Sequence, residues 1–288
     1  MAMFSTRPRR SVLYMPASNL RALDKARSLD CDGIVFDLED AVAVEAKNSA
    51  RDQLLGTLTQ GGYGQRERIV RVNDLDSEWC KADVEAVVGC DIHAILFPKI
   101  NSAAELRAAI DLVDTSGGQH LAVWAMLETP AAILNAESIA AESARLEVLV
   151  MGTADLAAEL RVQETPERTG LQTALQLCVL AARAHGREIL DGVFIEFKNL
   201  AAFSAVCKQG RQLGFDGKTL IHPTQIEQAN STFGASETDI VQAHALISAW
   251  NAAQQKGEGV AVYEGRLIEN LHVRQAQRLL ACYAETEP

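Results

Sequence analysis

The chain has 288 residues, of which 48% are hydrophobic and 23% charged, with a formal net charge of −11 and an isoelectric point near 5.1. This composition allows a large buried core and argues against disorder and against a general nucleic-acid binder, which would need a basic face. The sequence has no apolar stretch near the roughly 20 residues of a membrane helix and no secretory leader, so we expect a soluble, cytoplasmic protein that contacts no membrane.

Short apolar runs alternate with segments of helical spacing along most of the chain. Eight runs predict strands, at residues 11–15, 33–38, 68–72, 94–98, 122–127, 148–151, 192–195 and 218–221. Helical spacing is clearest at residues 20–29, 43–58, 103–113, 171–185 and 200–213. Eight strand–helix units favour an α/β fold of the (β/α)₈ TIM-barrel type over residues 1–235. An open, doubly wound sheet is the alternative, because periodicity alone does not show closure.

The alternation stops near Phe233. Residues 236–255 predict one helix, because Ser236 can cap its N-terminus and acidic residues follow in the first turn. After a glycine-rich break, residues 260–268 are extended and residues 273–283 are helical again. We therefore expect residues 236–288 to form a C-terminal helical extension that acts as a lid or an oligomerisation element.

In a TIM barrel the functional residues lie where the strands end, at the C-terminal face. Glu128 follows the fifth predicted strand and Asp155 follows the sixth. On its own Asp155 is more typical of a helix cap, but carboxylates on neighbouring parallel strands converge on one point. Two such oxygen ligands with open positions suit Mg²⁺, which keeps waters and substrate oxygens in its coordination shell. The six cysteines have no ligand-like spacing, so a zinc site is not expected.

Other polar residues at strand ends have both functional and structural interpretations. Arg71 lies between two valines in the third strand, so alternation directs it into the barrel mouth or against an inner carboxylate such as Asp37 or Glu39. Lys99 is equally typical of a solvated loop charge, and His222 of a hydrogen-bonded structural histidine.

Seven short motifs follow one another along the chain: RSVLYMPA (10–17), DGIVFDLEDAV (32–42), RVN (71–73), LFPKI (96–100), LET (127–129), GTADL (152–156) and GFDGKTLIHPTQI (214–226). Together they resemble the citrate lyase beta-subunit family, which includes malyl-CoA and citramalyl-CoA lyases and belongs to the HpcH/HpaI aldolase superfamily.

The resemblance implies a metal-dependent site at the strand ends. Mg²⁺, with Mn²⁺ as an alternative, is expected on Glu128 and Asp155, with Glu39 and Asp40 acting through water. Arg71 is expected to bind the thioester or enolate oxygen.

The same resemblance implies how the substrate is bound. The amides of Gly152 and Thr153 are expected to hold a keto-acid carboxylate. Arg10, Arg21 and Lys25 match positions that lie near the phosphates of coenzyme A, which is part of the substrate.

The implied reaction is the cleavage of a 3-hydroxyacyl-CoA thioester, of the malyl, citramalyl or citryl type, into acetyl-CoA and a 2-oxo acid. A homotrimer or hexamer is expected, with the C-terminal segment crossing to a neighbouring subunit. There the family has a catalytic aspartate in a Gly-Lys-Met-Val-Asp segment, whereas this chain has Glu269. Two alternatives stay open: a CoA-independent aldolase of hydroxy-oxo acids, and a thioester-binding subunit of low activity.

Overall fold

The computed structural model describes residues 7–163 and 165–283, which form two compact units. The larger unit comprises residues 9–233, and the smaller comprises the described residues from 234 onward together with residues 7 and 8. Among the residues that the structure describes, no helix combines the length and apolarity that crossing a membrane requires.

Eight parallel strands of the larger unit close into a barrel in chain order, because the last strand pairs with the first. They are β1 (Ser11–Pro16), β2 (Gly33–Asp37), β3 (Glu67–Arg71), β4 (Ala94–Phe97), β5 (Ala122–Leu127), β6 (Leu146–Met151), β7 (Glu188–Asp191) and β8 (Gly217–Leu220). The predicted TIM barrel is thus confirmed.

Helices pack around the outside of the strands. They are α1 (Leu20–Ala26), α2 (Lys47–Gln60), α3 (Cys80–Val87), α4 (Ala103–Thr115), α5 (Pro130–Leu134), α6 (Ala136–Ala141), α7 (Thr153–Leu160), α8 (Gln172–Ala184), α9 (Leu200–Leu213) and α10 (Ile226–Phe233). Their apolar faces and the outward side chains of the strands form one continuous core, while the inward side chains form a second core inside the barrel.

The prediction for the seventh strand was wrong by four residues. The strand is β7, Glu188–Asp191, and residues 192–195 belong to the loop that follows it. Asp191 interrupts the apolar pattern, and it is tolerated in the strand because Lys218 of β8 donates to its carboxylate at 2.8 Å. The chain leaves the sheet at Gly192, where a Cβ would collide with the hydroxyl of Thr153.

One arginine closes the N-terminal end of the barrel. The buried guanidinium of Arg9 contacts Glu67 through Nε at 2.7 Å, Glu147 at 2.5 Å and Glu188 at 2.6 Å. It also lies over the ring of Trp124, 5.2 Å from the ring centroid. Arg9 therefore links β3, β6 and β7 by ion pairs at the N-terminal end of the barrel.

The smaller unit contains a helix, a hairpin and a second helix: α11 (Glu237–Gln255), β9 (Ala261–Tyr263), β10 (Arg266–Ile268) and α12 (Asn270–Tyr283). Ser236 caps α11 in a capping box with Asp239, as the sequence predicts. The hairpin pairs Val262 with Leu267, and both side chains are exposed.

Replacing Arg9 by methionine should strongly destabilise the larger unit, because it leaves buried Glu67 without its counter-charge. Breaking one partner of a buried ion pair typically costs about 3–5 kcal/mol. Arg107→Met is the matched control, since Arg107 is largely exposed in its pair with Glu142 and such pairs contribute only about 0–1 kcal/mol. Urea unfolding followed by circular dichroism measures both changes, and equal losses would disprove this role of Arg9.

Candidate active site at the barrel mouth

A cavity of about 350 Å³ opens at the C-terminal ends of the strands, where TIM barrels carry their chemistry. We call it the mouth cavity. Its polar walls include Tyr14, Asp37, Asp40, Arg71, Glu128, Gly152, Thr153, Asp155 and Thr219. The structure thus brings together six of the residues singled out in the sequence: Asp40, Arg71, Glu128, Gly152, Thr153 and Asp155.

Glu128 has one oxygen bound and one without a partner. It is buried, and its Oε1 accepts a hydrogen bond from the backbone N–H of Lys99 at 2.8 Å. Within the described residues its Oε2 is buried and has no hydrogen-bond partner. Burial, together with the charges of Glu39 and Asp155, raises the pKa of Glu128 to about 8. Such an unsatisfied carboxylate oxygen is destabilising unless a ligand meets it.

Lys99 holds Glu128 through a strained backbone. Its φ of 53° is in the left-handed region, which disfavours a lysine, and its carbonyl accepts from Asn101 Nδ2 at 2.8 Å. The Lys99 ammonium lies 3.7 Å from Glu39 Oε1. The interpretation of Lys99 as a solvated loop charge was therefore incomplete, because its main chain is part of the site.

Arg71 lies in the barrel mouth and also pairs with the inner carboxylates. Its Nε and Nη2 donate to Asp37 at 2.8 and 2.7 Å, and its Nη1 lies 2.7 Å from Glu39 and 3.4 Å from Asp40. The ring of Tyr14 packs against the guanidinium, with 4.8 Å between Cζ and the ring centroid. Arg71 is held by two Asp37 contacts, so Nη1 is the nitrogen directed at the loop carboxylates.

The loop that carries Glu39 and Asp40 is held by hydrogen bonds to its backbone carbonyl oxygens. The buried Lys47 ammonium donates to the carbonyl oxygens of Leu38 and Glu39 at 2.9 and 2.7 Å. Asn73 Nδ2 donates to Leu38 O at 3.1 Å. Glu39 itself is buried, and burial together with Asp40 and Asp37 raises its pKa to about 7 against the opposing effects of Arg71 and Lys99.

Gly152 has a different role from the one predicted. Its N–H donates to Leu127 O at 3.1 Å within the β5–β6 ladder, so this amide is not available to a substrate carboxylate. What the site needs is the missing side chain, because a Cβ at Gly152 would collide with Cβ and Oε2 of Glu128. Thr153 begins α7, where first-turn N–H groups lack partners in the helix, so its amide keeps the predicted binding capacity.

The charges of this region do not balance within the described residues. Three cations, Arg71, Lys99 and Lys47, meet five carboxylates. The carboxylates are those of Asp37, Glu39, Asp40, Glu128 and Asp155. Among residues 7–163 and 165–283, no three His, Cys, Asp or Glu side chains are placed to hold a metal ion. Glu128 and Asp155 therefore fit a cation such as Mg²⁺ that takes few protein ligands and completes its shell with water and substrate oxygens.

Arg10 does not belong to the mouth cavity. It precedes β1 and donates to both oxygens of Asp32 through Nε and Nη2, at 2.9 and 2.7 Å. Because it directly precedes the six-residue strand that ends at Pro16, it lies at the opposite face of the barrel. The sequence-based expectation that Arg10 approaches the coenzyme A phosphates is wrong on these grounds: an ion pair at the N-terminal face was mistaken for a ligand group.

Four further candidates lie outside the walls of the mouth cavity. Arg21 and Lys25 are exposed on α1, four residues apart on one face, and Asn19 caps that helix at the barrel mouth. Glu269 is exposed in the smaller unit, just before α12. His222 stacks on Phe197, with 4.4 Å between ring centroids, and bonds Thr224, as the structural interpretation predicts.

Sequence reasoning missed Tyr14 as a site residue. It shares the inner face of β1 with Val12, and two-residue alternation was the signal that could have placed it there. Burial raises the pKa of its phenol, so the hydroxyl is neutral beside Arg71. No pattern in the sequence indicates the left-handed backbone of Lys99.

The fold and the site define the chain as a TIM-barrel protein with an acidic mouth. The family model described as HpcH/HpaI aldolase/citrate lyase matches residues 10–223, and the chain belongs to this family.

Similar proteins share nearly the whole chain. The (3S)-malyl-CoA thioesterase of Cereibacter sphaeroides is 50% identical over 274 residues, covering 95% of this chain and 94% of the relative. The citrate lyase subunit beta of Escherichia coli is 33% identical, covering 96% and 93%. The crystal structure of CitE from Mycobacterium tuberculosis with magnesium, acetoacetate and coenzyme A has a TM-score of 0.75 at 25% identity, covering 96% and 98%.

Gly152→Ala should weaken binding of a divalent cation, because the added methyl displaces the Glu128 carboxylate. Groups that orient a metal ligand typically change affinity by about 10–100-fold, and we expect a loss in this range. Gly56→Ala on α2 is the control: a Cβ there meets nothing within 4 Å, and the change should stabilise the helix by roughly 0.5–1 kcal/mol. Calorimetric titration measures the Mg²⁺ affinity of both variants, and Gly56→Ala should leave it unchanged. Unchanged affinity in Gly152→Ala would refute the steric argument.

Proposed function

We propose that this chain is a Mg²⁺-dependent enzyme that hydrolyses a 3-hydroxyacyl-CoA thioester, with (3S)-malyl-CoA as the leading substrate. The observation that carries the proposal is the 50% identity to (3S)-malyl-CoA thioesterases across 95% of this chain. The unsatisfied oxygen of Glu128 in a cavity of excess negative charge supports the metal.

In this proposal Glu128 and Asp155 hold the cation, and Glu39 and Asp40 act through its waters. When bound, Mg²⁺ would polarise the hydroxyl and carboxylate oxygens of the substrate as a Lewis acid. The first-turn amide of Thr153 and the positive end of α7 bind the substrate carboxylate.

Arg71 supplies the charge that the reaction needs. In hydrolysis, the water oxygen bonds to the thioester carbon, negative charge appears on the carbonyl oxygen, and the C–S bond then breaks to release CoA thiol and malate. Asp40 has an exposed carboxylate on the cavity wall and accepts the proton of the attacking water. The guanidinium of Arg71, oriented by Asp37, stabilises the oxyanion.

A second candidate is carbon–carbon cleavage into acetyl-CoA and a 2-oxo acid. The 33% identity to citrate lyase beta subunits over 96% of the chain favours it. Here the substrate hydroxyl loses its proton, the bond to the thioester's α-carbon breaks, and the electron pair becomes the enolate of acetyl-CoA. Negative charge again develops on the thioester oxygen, so Arg71 serves both reactions.

We also propose that the smaller unit acts across a subunit boundary in a homotrimer or hexamer and brings Glu269 to a neighbour's site. Exposed apolar side chains on and near the β9–β10 hairpin support burial against a partner: Val260, Val262, Leu267 and Leu271. Arg21 and Lys25, exposed on α1, are proposed to meet the phosphates of coenzyme A.

Glu128→Gln and Asp155→Asn should each abolish Mg²⁺ binding and lower kcat/KM on (3S)-malyl-CoA by roughly 10³-fold, because several kcal/mol of charge stabilisation are lost. Glu159→Gln is the control, since it removes an exposed carboxylate from the same helix as Asp155. Release of free thiol and of acetyl-CoA, each with and without EDTA, measures activity. Wild-type turnover in either ligand variant would remove the metal assignment.

The two candidate reactions give different products from one substrate, and Glu269 should influence the ratio. Hydrolysis yields malate and CoA, whereas cleavage yields glyoxylate and acetyl-CoA. Glu269→Asp shortens the carboxylate by one methylene to the family length, and positioning errors near 1 Å change rates by about 10²-fold, so we expect the acetyl-CoA share to rise. Mass spectrometry gives the ratio, with Glu258→Asp as the exposed control. Acetyl-CoA as the main wild-type product would reverse our order of candidates.

A further inference from the structure

A second cavity, of about 110 Å³, lies beside the mouth cavity in the larger unit. The two share Thr153, Ala154 and Val193 in their walls. The remaining walls of the second cavity are largely apolar and include Ala157, Val162, Leu171, Phe194 and Val206. No step of the proposed reaction uses this space.

Two buried polar atoms on the walls of this second cavity lack partners. Nη2 of Arg168 and Oγ1 of Thr165 have no hydrogen-bond partner within the described part of the chain. Leaving buried donors unpaired destabilises a fold, so such atoms point to a missing ligand. Arg168 also has a left-handed backbone, with φ of 50°, a strain that is concentrated at ligand sites.

The rest of the Arg168 guanidinium is held rigidly. Nη1 donates to Asp191 at 2.6 Å and Nε donates to Gln209 at 2.7 Å. Asp191 is fully buried, and a Cβ at Gly210 of α9 would approach its Oδ2 to 2.8 Å. These bonds leave Nη2 as the one guanidinium nitrogen without a partner in the described chain, on a residue that lines the second cavity.

Within the described residues, two buried cations share one buried carboxylate beside the second cavity. The single carboxylate of Asp191 is shared between Arg168 and the fully buried Lys218, whose ammonium lies 2.8 Å away. Burial alone would raise the pKa of Asp191, but Lys218 and Arg168 outweigh it and lower that pKa. Glu196 also lines the cavity, but its carboxylate is exposed and accepts from Asn199. An anion bound at Nη2 would balance the buried cations.

We propose that this second cavity, the Arg168 cavity, binds a carboxylate carried on a short apolar stem. Arg168 Nη2 and the Thr165 hydroxyl donate to the carboxylate, and the apolar walls receive the stem. The carboxylate comes either from a free short acid or from the second acidic arm of a citryl-type substrate, reaching across Thr153. Only the substrate arm rests on the proposed function.

Binding of free acids tests the cavity independently of catalysis. The full chain in EDTA is titrated calorimetrically with butyrate, succinate and butyramide, because without a cation the carboxylates of the mouth cavity repel anions. We expect the acids to bind and the amide not to bind. Arg168→Lys, which keeps a contact to Asp191, should lower affinity at least about tenfold, and Val206→Leu, which fills the cavity, should also lower it.

Thr165→Val separates binding from folding. It should weaken acid binding several-fold while leaving the melting temperature unchanged or higher, because it removes a hydroxyl that has no partner in the free protein. Thr57→Val is the matched control, since the Thr57 hydroxyl is bonded to Gln53 O within α2, and it should leave acid binding unchanged. Absence of acid binding at millimolar concentration, or wild-type affinity in both Arg168→Lys and Thr165→Val, overturns the proposal.

The two sources of the bound carboxylate, a free acid and a substrate arm, are distinguished by thioesters that differ by one carboxylate. Citryl-CoA carries a carboxymethyl arm where citramalyl-CoA carries a methyl group. A larger loss of kcat/KM for citryl-CoA than for citramalyl-CoA in Arg168→Lys assigns the cavity to the substrate arm, whereas equal losses assign it to a free acid. A chain inactive on every thioester that still binds the acids would refute the proposed function and leave the Arg168 cavity in place.

Discussion

The excess of negative charge at the barrel mouth is the constraint around which this structure is arranged. Five carboxylates converge there on Arg71, Lys99 and Lys47, and one buried acceptor among them, Glu128 Oε2, meets no donor in the described chain. Burial of like charges is unfavourable, and it raises the pKa of both Glu128 and Glu39. A fold keeps such an arrangement where a ligand offsets it, and a hard divalent cation is the ligand that this set of oxygens suits.

At the opposite end of the barrel, the carboxylates meet a donor inside the structure. There Arg9 uses its guanidinium nitrogens on three glutamates and rests on Trp124, so the charges meet inside the structure. This end stabilises the closed barrel, whereas the mouth leaves groups unpaired and strains the backbone at Lys99. The division follows the general one for TIM barrels, in which the N-terminal face stabilises and the C-terminal face binds.

Strand periodicity favoured the barrel without showing its closure, and it placed Glu128 and Asp155 at neighbouring strand ends, because both depend on local patterns repeated along the chain. It failed where long-range contacts decide. The predicted seventh strand began after Asp191, whereas the observed strand includes Asp191 because Lys218, 27 residues later, donates to its carboxylate. Gly152 was assigned by its amide, although its missing Cβ, seen only against Glu128, is what matters. Arg10 matched a motif, but its position before β1 puts it at the other face.

Hydrolysis and carbon–carbon cleavage of a hydroxyacyl thioester share one charged atom, the thioester oxygen, and differ in a few others. Both develop charge on the thioester oxygen, and both are served by an arginine that is fixed in advance, as Asp37 fixes Arg71. They differ in whether water reaches the carbonyl carbon and in which carboxylate handles the proton. One barrel can therefore resemble both thioesterases and citrate lyase subunits along its whole length. The difference between them is best sought in the carboxylates that handle protons, and Glu269 of the smaller unit differs from the aspartate that the family resemblance implies at that position.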